Sequence, residues 1–302
     1  MSIMKETLVA ASQPLPKTKH RKKLKISTAL IHFGLLLLVA FNLFPLYWMV
    51  TFSLKTNNEI LGIGQPANLV GLPQNYEWNN YTRAINTGNG DMGRYFLNSL
   101  IVAIATIVIT IIAAFMATYA MTRLVWKGRK MMNKFFMLGL TIPIHASLIP
   151  VYVILSRLDL LDKHVSLIIP YAAFSLSMAI LISVGFMGDI PYDLDEAAFL
   201  DGCGVWGIFF RVIAPLMMPA IATVGIYTFL QCWNELLFAT IFVSKGKYVT
   251  LPVGISQLVG QHTTDWGPIG AALTIATLPT MIVYALLSKR IQAGFIAGAV
   301  KG

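Results

Sequence analysis

Residues 188–202 read GDIPYDLDEAAFLDG, which places five carboxylates (Asp189, Asp193, Asp195, Glu196 and Asp201) in fifteen residues of an otherwise apolar chain. Pro191 suits a first helical turn. Asp193 is placed to cap, and Asp195 and Glu196 lie near the positive end of the helix dipole. Leu194, Ala197 and Ala198 fall at i, i+3 and i+4 and form a narrow apolar stripe. Gly202 is placed to end the helix in a left-handed turn. A second short helix is predicted over 205–211, VWGIFFR, leading to Pro215. The stretch reads as helix, turn, helix at a membrane surface. Its small alanines permit close approach of a partner and its carboxylates offer charge to a basic one. The same residues also suit a self-capping loop that binds nothing.

The flanking sequence makes the surface a membrane surface. Of 302 residues, 56% are hydrophobic and 12% charged, where soluble domains carry about a quarter. Mean hydropathy is +0.69. The apolar residues come in six runs of spanning length: about 27–54, 96–121 (FLNSLIVAIATIVITIIAAFMATYAM), 132–156, 165–187, 212–242 and 269–288. The first follows a basic start, but it is too long for a signal-peptide core and no A-x-A site follows, so it reads as an uncleaved span. At 1.5 Å per residue it reaches about 40 Å, with Pro45 as the expected kink. Residues 1–26 form a basic tail, 55–93 a polar loop, 94–289 the main membrane core and 290–302 a second tail.

Loop charge gives the orientation. With both termini cytoplasmic, the inside carries 16 Lys and Arg and the outside 7, as the positive-inside rule requires. The net charge of +10 belongs with basic residues beside apolar runs, which points to membrane rather than nucleic acid. The loop 188–211 is the net-negative exception. Inside the spans Glu235, in QCWNELLFA, is the only carboxylate, and prolines 143, 150, 170, 215, 219 and 279 fit a moving bundle around a pathway.

Catalytic and metal chemistry find no constellation. Cys203 and Cys232 form no CxxC pair, and the five histidines have no ligand spacing. No G-x-x-x-x-G-K-[ST] occurs, so the chain is no P-loop ATPase. Gly202, Gly204 and Gly207 in GCGVWG match G-x-G-x-x-G, but a helix rather than a strand is predicted before them, and no acid lies between Asp201 and Glu235. Gln231, Trp233, Asn234 and Glu235 combine hydrogen-bonding groups with a flat aromatic face, which suits a sugar path. They suit helix–helix hydrogen bonding and interfacial anchoring equally.

The stretch EAAFLDGCGVWGIFFRVIAP, 196–215, resembles the EAA loop of permease subunits in binding-protein-dependent ABC importers. Glu196, Ala197, Ala198, Gly202, Val212 and Pro215 match that pattern in register, and Ala214 stands where leucine is usual. Asp201 with Gly202, the WNE at 233–235, DWG at 265–267 and the ending GAVKG resemble the sugar-importing branch, and most closely the maltose-type second permease. The resemblance covers nearly everything from residue 27 onward. It implies an all-α integral membrane protein with six transmembrane helices and the type I ABC importer permease fold, in a bacterial or archaeal cytoplasmic membrane.

It also implies partners: a second homologous permease, two ATPase subunits that bind ATP and magnesium, an extracytoplasmic solute-binding protein and a sugar. Asp195, Glu196, Ala197, Ala198, Asp201 and Gly202 would couple to the ATPase. The tail GAVKG would reach toward the ATPase pair, and the 243–268 loop would contact the binding protein. Three other readings stand beside it: an ABC permease for a non-sugar solute, an ion-gradient-driven secondary transporter, and a scaffold or sensor. Secondary transporters usually carry mid-membrane carboxylates, whereas Glu235 lies about 30 Å along its helix from Pro215, toward the outer face.

Overall fold

The computed structural model describes residues 25–90, 92–259 and 264–299. The basic tail up to residue 24, residue 91, residues 260–263 of the second polar loop and the last three residues, 300–302 in GAVKG, lie outside them.

Among the described residues four helices are long and apolar enough to cross a membrane: α1 (Lys25–Ser53), α4 (Met92–Thr122), α7 (Val165–Gly188) and α13 (Trp266–Ala299). Two further spans are broken. α5 (Arg129–Gly139) and α6 (Leu148–Arg157, entered by a 3-10 turn from Ile144) are bent by 95°. α9 (Val205–Leu216) and α10 (Met218–Trp233) are bent by 73°. Counting each bent pair as one span gives six. The fold is all-α, with no strand among the described residues. The runs 132–156 and 212–242, read as continuous spans, are interrupted. The second stops at Trp233 and resumes as the short α11 (Leu237–Phe242).

The described residues up to Trp48 form one compact unit and those from Met49 onward another. Within the first, α1 exposes Leu30, Phe33, Leu36 and Phe41, an apolar face suited to lipid. Within the second, α4 packs most extensively along α7. Both helices bury small residues: Ala103, Thr106, Thr110, Ala114 and Thr118 on α4, and Ala172, Ser175, Ala179 and Ser183 on α7. Small side chains allow the close backbone approach that drives association in lipid, where apolar burial by itself gains nothing. The core has two parts. One gathers Tyr95, Val102, Leu167, Trp233, Phe238, Phe242 and Leu251. The other gathers Phe115, Tyr119, Ile180, Met187, Ala198, Ile213 and Met217 at the opposite end of α4 and α7.

The polar segment after Ser53 is built, not slack. Thr56 caps α2 (Asn57–Leu61) by accepting from Glu59 N. The fully buried Lys55 donates to Asn68 O at 2.8 Å, and Asn68 Nδ2 donates to Glu59 Oε1 at 2.6 Å. From α3 (Asn79–Gly90), Asn80 reaches Ser53 O and Lys55 O at 2.9 and 2.8 Å. The second polar segment is likewise part-helical, with α12 (Leu251–Ser256) inside it. Asn98 Nδ2 holds Lys247 O and Val249 O, and Ser99 Oγ accepts from Leu251 N.

Candidate functional site

The acidic stretch forms α8 (Asp193–Leu200) and a turn. Asp193 makes no capping bond. Instead Tyr192 O accepts from the amides of Asp195 and Glu196, closing the first turn through the backbone. At the far end Gly202 N donates to Phe199 O and Cys203 N to Ala198 O, both at 3.0 Å. These two bonds with a left-handed glycine make a Schellman cap. Gly202 has φ +83°, and a Cβ built there would meet open space. The glycine is therefore required by backbone conformation alone. GCGVWG is this turn between two helices, with no strand before it.

The side chains of α8 point two ways. Ala198 is buried in the chain's own core. Asp195 turns inward too, and its Oδ2 lies 2.8 Å from Arg123 Nη1. Of the predicted stripe, Leu194 and Ala197 are exposed and only Ala198 is buried. The outward face consists of Glu196, Ala197, Phe199, Leu200 and Asp201. Phe199 and Leu200 are 69% and 85% exposed, an unusual amount for apolar side chains beside a charged surface. On α9, Trp206 and Phe210 form a stacked, exposed pair. Behind it lies a groove of about 510 Å³ between Tyr119, Leu124, Glu196, Leu200 and Val205.

Sequence reasoning missed Arg123. It was visible only as one of five basic residues in 122–134. Its side chain, 3% exposed, donates from Nη2 to Met187 O at 3.0 Å and Ile190 O at 2.5 Å. The guanidinium sits 4.1 Å from the Tyr192 ring centroid, and Tyr192 OH donates to Thr122 O at 3.2 Å. Burial pushes the Asp195 carboxyl above the ordinary aspartate value, and the Arg123 charge pulls it part of the way back.

The second predicted group divides. Trp233 is 2% exposed, donates from Nε1 to Ala276 O at 2.9 Å, and packs between Phe229 and Phe96. Glu235 accepts from Phe238 N, Ala239 N and Tyr171 OH. Its carboxylate caps α11 where the fifth span resumes after its break. Gln231 and Asn234 are exposed and bond only within their own helix, to Tyr227 OH and Leu230 O. Gln231 and Glu235 border a cavity of about 80 Å³ with His145, Tyr171 and Ser175. Trp233 and Asn234 border a separate one of about 430 Å³ with Pro252, Ser256 and Thr277. The four residues share a stretch of chain but not a surface.

DWG has a structural explanation. Asp265 pairs with Arg83, and Trp266 N donates to Asn57 Oδ1 at 2.8 Å. A Cβ on Gly267 would lie 2.5 Å from Asn80 Nδ2. The motif thus fastens the start of α13 to α2 and α3. On the other polar connection, Asp162 Oδ1 accepts from Ser244 N, Ser244 Oγ and Lys245 N. Among the described residues no three His, Cys, Asp or Glu side chains are grouped as metal ligands would be.

Residues 110–296 match the family of binding-protein-dependent transport system inner membrane components. The chain is 34% identical over 286 residues to the probable ABC transporter permease protein YurM of Bacillus subtilis (strain 168), covering 95% of this chain and 93% of that one. It is also 34% identical over 266 residues to the sulfoquinovosyl glycerol transport system permease protein SmoH of Agrobacterium fabrum, covering 88% and 91%. Among solved structures, a bacterial ABC transporter involved in the import of the acidic polysaccharide alginate superposes with a TM-score of 0.78 at 18% identity, covering 92% of this chain and 100% of that one.

Proposed function

Because the chain belongs to the family of binding-protein-dependent transport system inner membrane components, we propose that it lines half of the path of an ATP-driven carbohydrate importer. It is a multi-pass membrane permease subunit. A second related permease completes the path, two separate ATPase subunits supply ATP and magnesium chemistry, and an extracytoplasmic binding protein delivers the sugar. The charge asymmetry favours both termini and α8 on the cytoplasmic side. The sugar reading draws on SmoH, whose name gives sulfoquinovosyl glycerol as its cargo, and on the WNE and DWG likeness.

One observation carries the coupling role. α8 is anchored from behind by Ala198 and Asp195, and it presents Glu196, Ala197, Phe199 and Leu200 outward. Two exposed large apolar side chains beside an acid give this face a mixed apolar and acidic character. Such a face fits a cleft with apolar walls and a basic residue. The ion-gradient alternative loses support at the same time. Its only intramembrane carboxylate, Glu235, is held by three donors as a helix cap.

The test is Glu196→Lys in the assembled complex. Replacing attraction by repulsion at a partly desolvated contact costs on the order of 2–5 kcal/mol. The permease should reach the membrane at normal levels, because the bundle does not use Glu196. The ATPase subunits should dissociate, or hydrolyse ATP without uptake, and a basic-to-acidic change on the ATPase should partly restore uptake. Full uptake by Glu196→Lys with the ATPase bound would remove the coupling reading. Uptake assays with labelled sugars and a non-sugar control decide the substrate class.

A further inference from the structure

We propose that Arg123 is the positioning residue of the coupling loop. One guanidinium locks the end of α4, the end of α7 and α8 into a single body, so that movement of the ATPase-facing helix is passed to the two central spans. This rests on the reading of α8 as the ATPase contact.

The geometry is specific to arginine. Where α7 runs into the loop, Arg123 Nη2 donates to Met187 O, which also accepts from Ile190 N, and to Ile190 O just beyond the helix end. Nη1 faces Asp195 Oδ2 on α8 at 2.8 Å. The flat face of the group lies on the Tyr192 ring, and Tyr192 in turn bonds back to Thr122 O beside Arg123. The planar fork serves two directions while its face stacks in a third, which an ammonium point charge cannot do. α8 has eight residues and a single buried apolar anchor, Ala198. An isolated helix of that length does not hold itself in place. Without the clamp, α8 would stay attached at both ends of the loop but would tilt independently of α4 and α7. Binding and hydrolysis by the ATPase would continue, and less of the work would reach the spans.

The test uses the complete complex with its binding protein in proteoliposomes, and reads sugar taken up per ATP hydrolysed. Arg123→Gln, Arg123→Lys, Asp195→Asn and the Arg123→Gln/Asp195→Asn pair are compared with wild type and with Glu196→Lys. Arg123→Gln should still hold its ATPase subunits and hydrolyse ATP, but uptake per ATP should fall about tenfold, as two carbonyl bonds worth about 1 kcal/mol each and the ion pair are lost. Arg123→Lys should regain part of that ratio, since it keeps the charge opposite Asp195. Asp195→Asn, which leaves both carbonyl bonds in place, should lose about threefold. The double variant should be no worse than Arg123→Gln, because residues acting as one unit are not additive.

An unchanged uptake-to-ATP ratio in Arg123→Gln overturns the proposal while Glu196→Lys still uncouples. Disappearance of the chain from the membrane in both Arg123→Lys and Asp195→Asn overturns it as well, since the group would then serve folding and not transmission. If Glu196→Lys transports normally, the coupling reading itself fails, whatever Arg123 does.

Discussion

Replacing Gly202 isolates one physical term, because nothing but backbone conformation holds the residue to glycine. At φ +83° a residue with a Cβ incurs about 1–2 kcal/mol, a β-branched one more, and asparagine less. No clash adds to this, since the Cβ position is open. The turn is closed by two bonds, Gly202 N to Phe199 O and Cys203 N to Ala198 O, each worth about 1 kcal/mol net. The strain in Gly202→Val is therefore as large as the bonds that hold the cap, and the end of α8 should unwind. With about 1.4 kcal/mol per factor of ten, Gly202→Val should lower ATP-coupled uptake by tenfold or more. Gly202→Ala should lower it several-fold, and Gly202→Asn should stay near wild type. Membrane levels should hold in all three, because the bundle core does not depend on the turn. The assay is uptake by the reconstituted complex alongside immunoblots of the membrane fraction. Wild-type uptake by Gly202→Val would refute the reasoning. So would equal damage from Asn and Val, because that would place the requirement in bare backbone contacted by a partner and not in φ.

Reporter fusions at residues 75 and 255 should read outside, and at 128 and 200 inside; an outside reading at 200 removes the orientation and the coupling role together. Trp233→Ala should cost about 3–5 kcal/mol and deplete the chain from membranes, given its burial between Phe96 and Phe229. The exposed Asn234→Ala should leave assembly intact and change the sugar concentration for half-maximal uptake; unchanged kinetics would place Asn234 off the path. Burial, helped by Lys247, lowers the His164 imidazole below its ordinary value, and its Nε2 donates to Asn98 Oδ1 beside the Tyr248 ring. A lowered pKa means the neutral ring supports the fold, so that support is complete above about pH 6.5 and is lost as pH falls below it. The thermal midpoint should drop on acidification through that window, and His164→Gln should flatten the drop; an equal drop in that variant assigns it to other groups.

Local chemistry was enough for much of this protein. Apolar runs located four unbroken spans and two that the structure bends, because hydropathy is summed along a chain, and a bilayer needs a fixed length of it. Gly202 was readable as a left-handed cap because helix termination is decided by a few neighbouring residues. The exposed Glu196 agrees with its reading as a partner-facing acid. What required the tertiary structure was every role set by a residue distant in sequence. Asp195 and Ala198 read as partner-facing until Arg123, some seventy positions earlier, and the second core cluster turned them inward. Gln231, Trp233, Asn234 and Glu235 read as one polar group, but at the break before α11, which Glu235 caps, they border two cavities. DWG carried a likeness without a cause until Arg83, Asn57 and Asn80 were found against it. The physical reason is the same in each case. Periodicity and propensity act over a few residues, whereas a buried charge or carbonyl takes whichever partner the packing of distant helices brings within about 3 Å.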